Sequence, residues 1–146
     1  MDQSPAYIRL CRNAHEIQEL WQKQHGDFFV GEQGRIECWI TGIHEARDIR
    51  QGVRVSSPSG EGVIEIRKYV WLPKLDQLIE LAQVPGRRYE LITQDFFDWT
   101  RRDYGVIPGE PRRIFQTLEQ VWLAFVMQQK FEKGWTGRRW RSLTFE

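Results

Sequence analysis

The stretch that most constrains this chain is Thr117 to Lys133, TLEQVWLAFVMQQKFEK. Thr117 is a strong N-cap residue, and Gln120 three positions later completes a capping-box pattern. No Gly or Pro follows until Gly134, which stands where a C-cap glycine belongs. Leu118, Val121, Trp122, Phe125 and Val126 keep the i, i+3, i+4, i+7, i+8 spacing of one buried face. Leu123, Met127 and Phe131, with Ala124 beside them, form a second apolar row on the other side. A helix that is apolar on two sides needs cover on two sides. The reading favours a central core helix, and it leaves the second row as the seam of a homodimer.

The rest of the chain supplies that cover. Residues 1–8 read as a short frayed tail. Asn13 with Glu16 gives a second capping-box start, and Ile17, Leu20, Trp21 and Gln24 carry a short helix to about Gln24, closed by Gly26. Asp27–Gly31 and Ile36–Ile43 read as strands. In the second, Ile36, Cys38 and Ile40 alternate with Glu37, Trp39 and Thr41. Val53–Ser57 and Val63–Tyr69 read as a hairpin across Pro58–Gly62. Pro73 suits the first position of a helix whose inner face is Leu75, Leu78, Ile79 and Ala82, stopped by Pro85-Gly86. A longer helix spans Arg87 to Tyr104, with Tyr89, Ile92, Phe96 and Trp99 inward and Asp98–Arg102 as an i, i+4 pair. Residues 106–113 are a loop, and Trp135–Glu146 is an extended tail or last edge strand. The expectation is an α+β fold in one domain of 1–146. An N-terminal helix and a small antiparallel sheet fill about 1–70, and three helices with the 117–133 helix innermost fill about 71–146.

Composition narrows the function classes. A chain of 146 residues with seven Trp can bury a substantial core. Net charge is +1, so no global field recruits nucleic acid or a membrane surface. Residues 1–83 carry ten basic and twelve acidic side chains, and residues 84–146 carry eleven and eight. No apolar run is long enough to span a bilayer. Two cysteines, Cys11 and Cys38, do not make a disulfide framework, and the reading is a reducing, intracellular, cytoplasmic protein.

Two blocks form a distinctive pattern. The first is Val70-Trp71-Leu72-Pro73-Lys74-Leu75-Asp76-Gln77-Leu78. The second runs from Glu119-Gln120-Val121-Trp122-Leu123-Ala124-Phe125-Val126-Met127 through Lys130, Lys133-Gly134-Trp135, Gly137 and Trp140. Together with the N-terminal IRLCRNAHEIQELW and His25-Gly26-Asp27, the chain resembles a group of short proteins encoded by phages and prophages of Gram-positive bacteria. Their shared pattern is WLPxxDQL, then EQxWLAFVMxxK, then KxWxGxxW. The resemblance spans about Ile8 to Trp140. It implies a phage accessory protein and carries no activity, cofactor or site residue with it.

Chemical constellations are sparse. Cys11, Cys38, His15, His25 and His44 form neither a CxxC nor an HxxxH pair, so no metal is expected. No GxSxG elbow or phosphate-binding glycine loop occurs, and Ser56, Ser57 and Ser59 belong to a turn-like stretch. Asp95 and Asp98 are neighbours on one helix and form the pair that a small hydrolase or nuclease would use, although a solvated face beside Arg101 and Arg102 explains them more simply. Asp76 suits the positive end of its helix. The most suggestive surface feature is the set of arginine pairs. Arg112, Arg113, Arg138, Arg139 and Arg141, with Trp140 among them, are the candidate contacts to nucleic acid or to a partner. The preferred reading is a non-enzymatic module that binds a protein partner and takes no cofactor. The alternatives are a nucleic-acid-binding protein using the arginine pairs and Trp140, and a small hydrolase or nuclease.

Overall fold

The computed structural model describes residues 1–40, 69–102 and 115–143, together with the backbone of 53–55. The fold is α+β, and contacts divide it into two units, Gln3–Lys74 and Met1–Asp2 with Leu75–Glu146.

The first unit opens with α1, Pro5–Asn13. Ser4 caps it, its Oγ accepting from the Tyr7 amide at 3.2 Å, and Pro5 takes the first helical turn. The residues expected to fray are therefore ordered, and Ser4-Pro5 is the signal that marks them. Tyr7, Leu10 and Cys11 share the buried face. The expected helix to Gln24 is shorter: α2 spans His15–Glu19. Asn13 does not cap it, because its Nδ2 donates to the Arg9 carbonyl at 2.8 Å and so belongs to the end of α1.

Four strands follow: β1 Phe28–Val30, β2 Ile36–Ile40, β3 Val53–Val55 and β4 Val70–Leu72. Their order is β3-β2-β1-β4, with β1 antiparallel to both β2 and β4. β3 runs parallel to β2, so the sheet is antiparallel through its centre and mixed at one edge. The second arm of the expected 53–69 hairpin lies almost wholly outside the described residues. A tight turn joins β1 to β2, in which Gly31 N–H donates to Arg35 O at 2.8 Å and Gly34 adopts φ 76°. The alternation expected in β2 is present, but the inner members are Glu37 and Trp39, not Ile36, Cys38 and Ile40. Trp39 decides the face, because it packs edge-on to Phe29 and Trp21 at 5.7 and 6.1 Å. Trp21 also stacks on Trp71 at 6.1 Å. The Glu37 carboxyl lies over Gly31, in space that a Cβ would occupy.

Edge strand β4 is completed by a side chain. The Gln18 carboxamide accepts from the Trp71 amide at 2.7 Å and donates to the Trp71 carbonyl at 3.0 Å, as a neighbouring strand would. Its Nε2 also reaches the Cys11 carbonyl at 3.0 Å, tying α1 to the same point. Gln18 is partly solvated, so water replaces some of what is lost on truncation. We expect Gln18→Ala to destabilise by about 1–2 kcal/mol in chemical denaturation, with faster exchange of the Trp71 amide. An unchanged Trp71 exchange rate would show that the edge is held otherwise.

In the second unit, α3 spans Leu75–Leu81, α4 Tyr89–Arg102 and α5 Leu118–Phe131. α3 starts two residues after Pro73; Leu78 and Ala82 are buried, and Leu75 and Ile79 are half-buried. α4 buries Ile92, Phe96 and Trp99 as its spacing predicts, but Tyr89 is 59% exposed in its first turn. α5 begins as expected: Thr117 Oγ1 accepts from the Gln120 amide at 3.2 Å. The return bond is displaced by one residue, since Gln120 Oε1 accepts from the Gln116 amide at 2.9 Å. Asp2 joins the cap, accepting from Thr117 Oγ1 at 2.5 Å and Gln120 Nε2 at 2.8 Å.

Both apolar rows of α5 are covered. Val121 to Met127 are all buried, with Leu123, Val126 and Met127 wholly so, while Phe131 is half-buried and Leu118 is exposed. Phe96 and Trp122 stack at 3.9 Å and 5°, and Phe125 and Trp99 close the cluster edge-on. Trp99 Nε1 donates to Gln128 Oε1 at 2.6 Å. The helix ends earlier than expected. Glu132, not a glycine, takes the left-handed position with φ 53°, and Gly134 enters strand β5, Lys133–Trp135, paired with β6, Trp140–Ser142. A left-handed non-glycine residue is strained by about 1–2 kcal/mol, partly offset on glycine substitution by the entropy of the unfolded chain. Glu132→Gly is therefore expected to raise stability by about 0.5–1 kcal/mol, read as a higher denaturation midpoint.

Candidate arginine-bearing hairpin

The β5–β6 hairpin grows directly out of α5. Leu143 N–H donates to Glu132 O at 2.7 Å and closes its base. Trp135 and Trp140 face each other across the strands with ring centroids 5.2 Å apart, and both are buried. Period-two alternation then turns Arg141 outward, opposite Gly134.

Thr136 builds the turn. Its Oγ1 accepts from the Arg138 and Arg139 amides, each at 3.2 Å, and its amide donates to Arg139 O at 3.0 Å. Gly137 sits between them at φ 100°, a conformation glycine adopts without a Cβ penalty. The turn thus fixes the backbone of two exposed arginines while leaving their guanidinium groups in solvent. From Lys130 to Arg141 the chain carries five basic side chains and a single acid, Glu132. An open depression lined by Gln128, Gln129, Glu132 and Leu143 lies at the base.

Of the candidate contacts read from the sequence, Arg138, Arg139 and Arg141 come together on this hairpin. Trp140 does not join them at the surface. It is 8% exposed and packs on Trp135, so its ring is not offered to a base. Its wide spacing from Trp135 and the intervening Thr-Gly turn are the signals that reveal a pair closing a hairpin. Arg112 and Arg113 lie outside the described residues, as do His44, Ser56, Ser57 and Ser59.

The paired carboxylates resolve into structural contacts. Asp95 meets Arg87 at 2.7 Å, and Asp98 accepts from Gln94 Nε2 at 3.1 Å. Arg102 donates from Nε to the Asp98 main-chain carbonyl at 3.5 Å, so the expected side-chain pair is a longer backbone contact. Among the described residues no group of three His, Cys, Asp or Glu side chains converges as metal ligands would, and no helix is long and apolar enough to cross a membrane. Cys11 is buried. Partial burial pushes the Cys38 thiol up, with Lys74 opposing and Asp27 reinforcing the shift, which favours the neutral thiol over the nucleophilic thiolate.

Asp27 is the most deeply buried of three buried acids among the described residues, with Asp2 and Glu37, and the sequence assigns it no role. It is 1% exposed, and its Oδ2 accepts from Trp21 Nε1 at 2.9 Å and the Gln24 amide at 2.8 Å. It organises the loop that leads into β1. Comparison with family models, with curated proteins and with solved structures finds no match to this chain.

Proposed function

We propose that this chain is a phage- or prophage-type accessory protein of the bacterial cytoplasm that acts by binding a protein partner, and that the arginine turn of β5–β6 makes the contact. The observation that carries the reading is the preorganised display of Arg138, Arg139 and Arg141 on a hairpin anchored by two buried tryptophans. A backbone already fixed before binding spares that part of the conformational entropy lost on docking, and guanidinium groups pair bidentately with carboxylates. The partner's matching surface is therefore acidic. The buried ring of Trp140 removes the stacking platform on which single-stranded nucleic-acid binding draws.

Affinity capture from infected or lysogenic cells, run in parallel with mobility shift on single- and double-stranded DNA at low salt, tests this. The expected result is a protein retained by the wild type and weakened at least about tenfold by the combined Arg138→Ala, Arg139→Ala and Arg141→Ala substitutions, with circular dichroism unchanged. Salt-sensitive DNA binding that the same substitutions abolish would instead establish the nucleic-acid reading.

A further inference from the structure

We infer that α4 pairs in antiparallel register with the α4 of a second copy of this chain. The face concerned points away from the core row Ile92, Phe96 and Trp99. It carries Glu90, Gln94, Phe97 and Arg101, at i, i+4, i+7 and i+11. At about 100° per residue these four lie in one strip about 16 Å long. All four are exposed, and Phe97 is an aromatic ring left 51% in solvent, with Phe96 the one ring against it among the described residues, at 5.7 Å.

Charge complementarity selects the occupant. The strip is acidic at its start, aromatic near its middle and basic at its end. Turned end over end, it matches itself: Glu90 of one copy faces Arg101 of the other, and Phe97 faces Gln94, at both symmetry-related positions. Among the described residues of one chain Glu90 pairs with Arg88 alone, at 3.5 Å between largely exposed groups, a contact that water readily exchanges. Arg101 makes no ion pair among the described residues. The second row of α5, which the sequence offers as a dimer seam, is unavailable because Leu123 and Met127 are fully buried. The pairing uses none of the arginine turn and stands independently of the proposed partner.

Two 14-residue helices bury less than a standard interface, so the dimer is weak, with a dissociation constant on the order of 100 µM. Sedimentation equilibrium of the full chain from about 5 µM to about 1 mM brackets that value. The weight-average mass is expected to climb from one chain toward two. Glu90→Arg makes both ends of the strip basic, and Arg101→Glu makes both ends acidic. Each variant alone is expected to weaken self-association at least about tenfold. An equimolar mixture of the two restores it, because each strip now complements the other; a misfolded variant would not do this. A wild type that stays at one chain mass throughout overturns the pairing and leaves the Phe97 face to another kind of partner. So do variants that self-associate like the wild type, or a mixture that does not.

Discussion

Trp122→Ala is expected to remove about 3–5 kcal/mol of stability, the largest single effect in the second unit. Trp122 is 4% exposed and lies flat on Phe96, while Phe125 meets both rings edge-on. Truncation deletes an indole from the centre of that cluster. The surrounding rings belong to helices whose backbones cannot collapse freely, so the lost transfer energy is joined by a cavity term. In urea the midpoint is expected to fall by on the order of 2 M. Phe97→Ala supplies the contrast, one residue from Phe96 yet half in solvent, with an expected cost below about 1 kcal/mol at low protein concentration. Similar costs for the two substitutions would mean that Phe96 and Trp122 are not the core of this unit.

Asp27→Ala is expected to be nearly as damaging, at about 2–4 kcal/mol, for a polar reason. The substitution leaves the Trp21 indole N–H and the Gln24 amide without their acceptor, both at a carboxylate that is 1% exposed. Buried donors left unpaired forfeit their hydration as well as their bond. Trp21 is then free to leave its stack on Trp71, its tilted contact with Phe29 and its edge contact with Trp39. The expected signature is a loss of near-ultraviolet circular dichroism from the tryptophans along with the lower midpoint. Asp27→Asn keeps one acceptor oxygen and is expected to fall between wild type and alanine. An unchanged tryptophan signal in Asp27→Ala would refute the role assigned to this carboxylate.

The elements most legible in the sequence are those with long periodic runs. The cap at Thr117, both apolar rows of α5 and the inward set Ile92, Phe96 and Trp99 of α4 follow from 3.6-residue spacing and capping chemistry. The partners of Asp95 and Asp98 are less legible: Arg87 and Gln94 take the two carboxylates, not the neighbouring Arg101 and Arg102 that the sequence suggests. Less legible were short elements whose partners are distant. Tyr7 donates its hydroxyl hydrogen to the Pro73 carbonyl at 2.6 Å, a contact 66 positions away in the chain, and with it the expected tail becomes a helix with one buried face. The display of Arg138, Arg139 and Arg141 was half visible as basic composition, but the withdrawal of Trp140 needed its cross-strand partner.

What the sequence by itself determined is therefore the class of fold, the central helix and its two greasy flanks, since spacing along one chain decides which side chains share a face. Tertiary structure alone decided which face of β2 turns inward, where α5 gives way to β5, and which tryptophans are withheld from solvent. Local alternation is symmetric between the two sides of a strand. Only the aromatic rings that arrive from elsewhere, Trp21 and Phe29 against Trp39 and Trp135 against Trp140, break that symmetry.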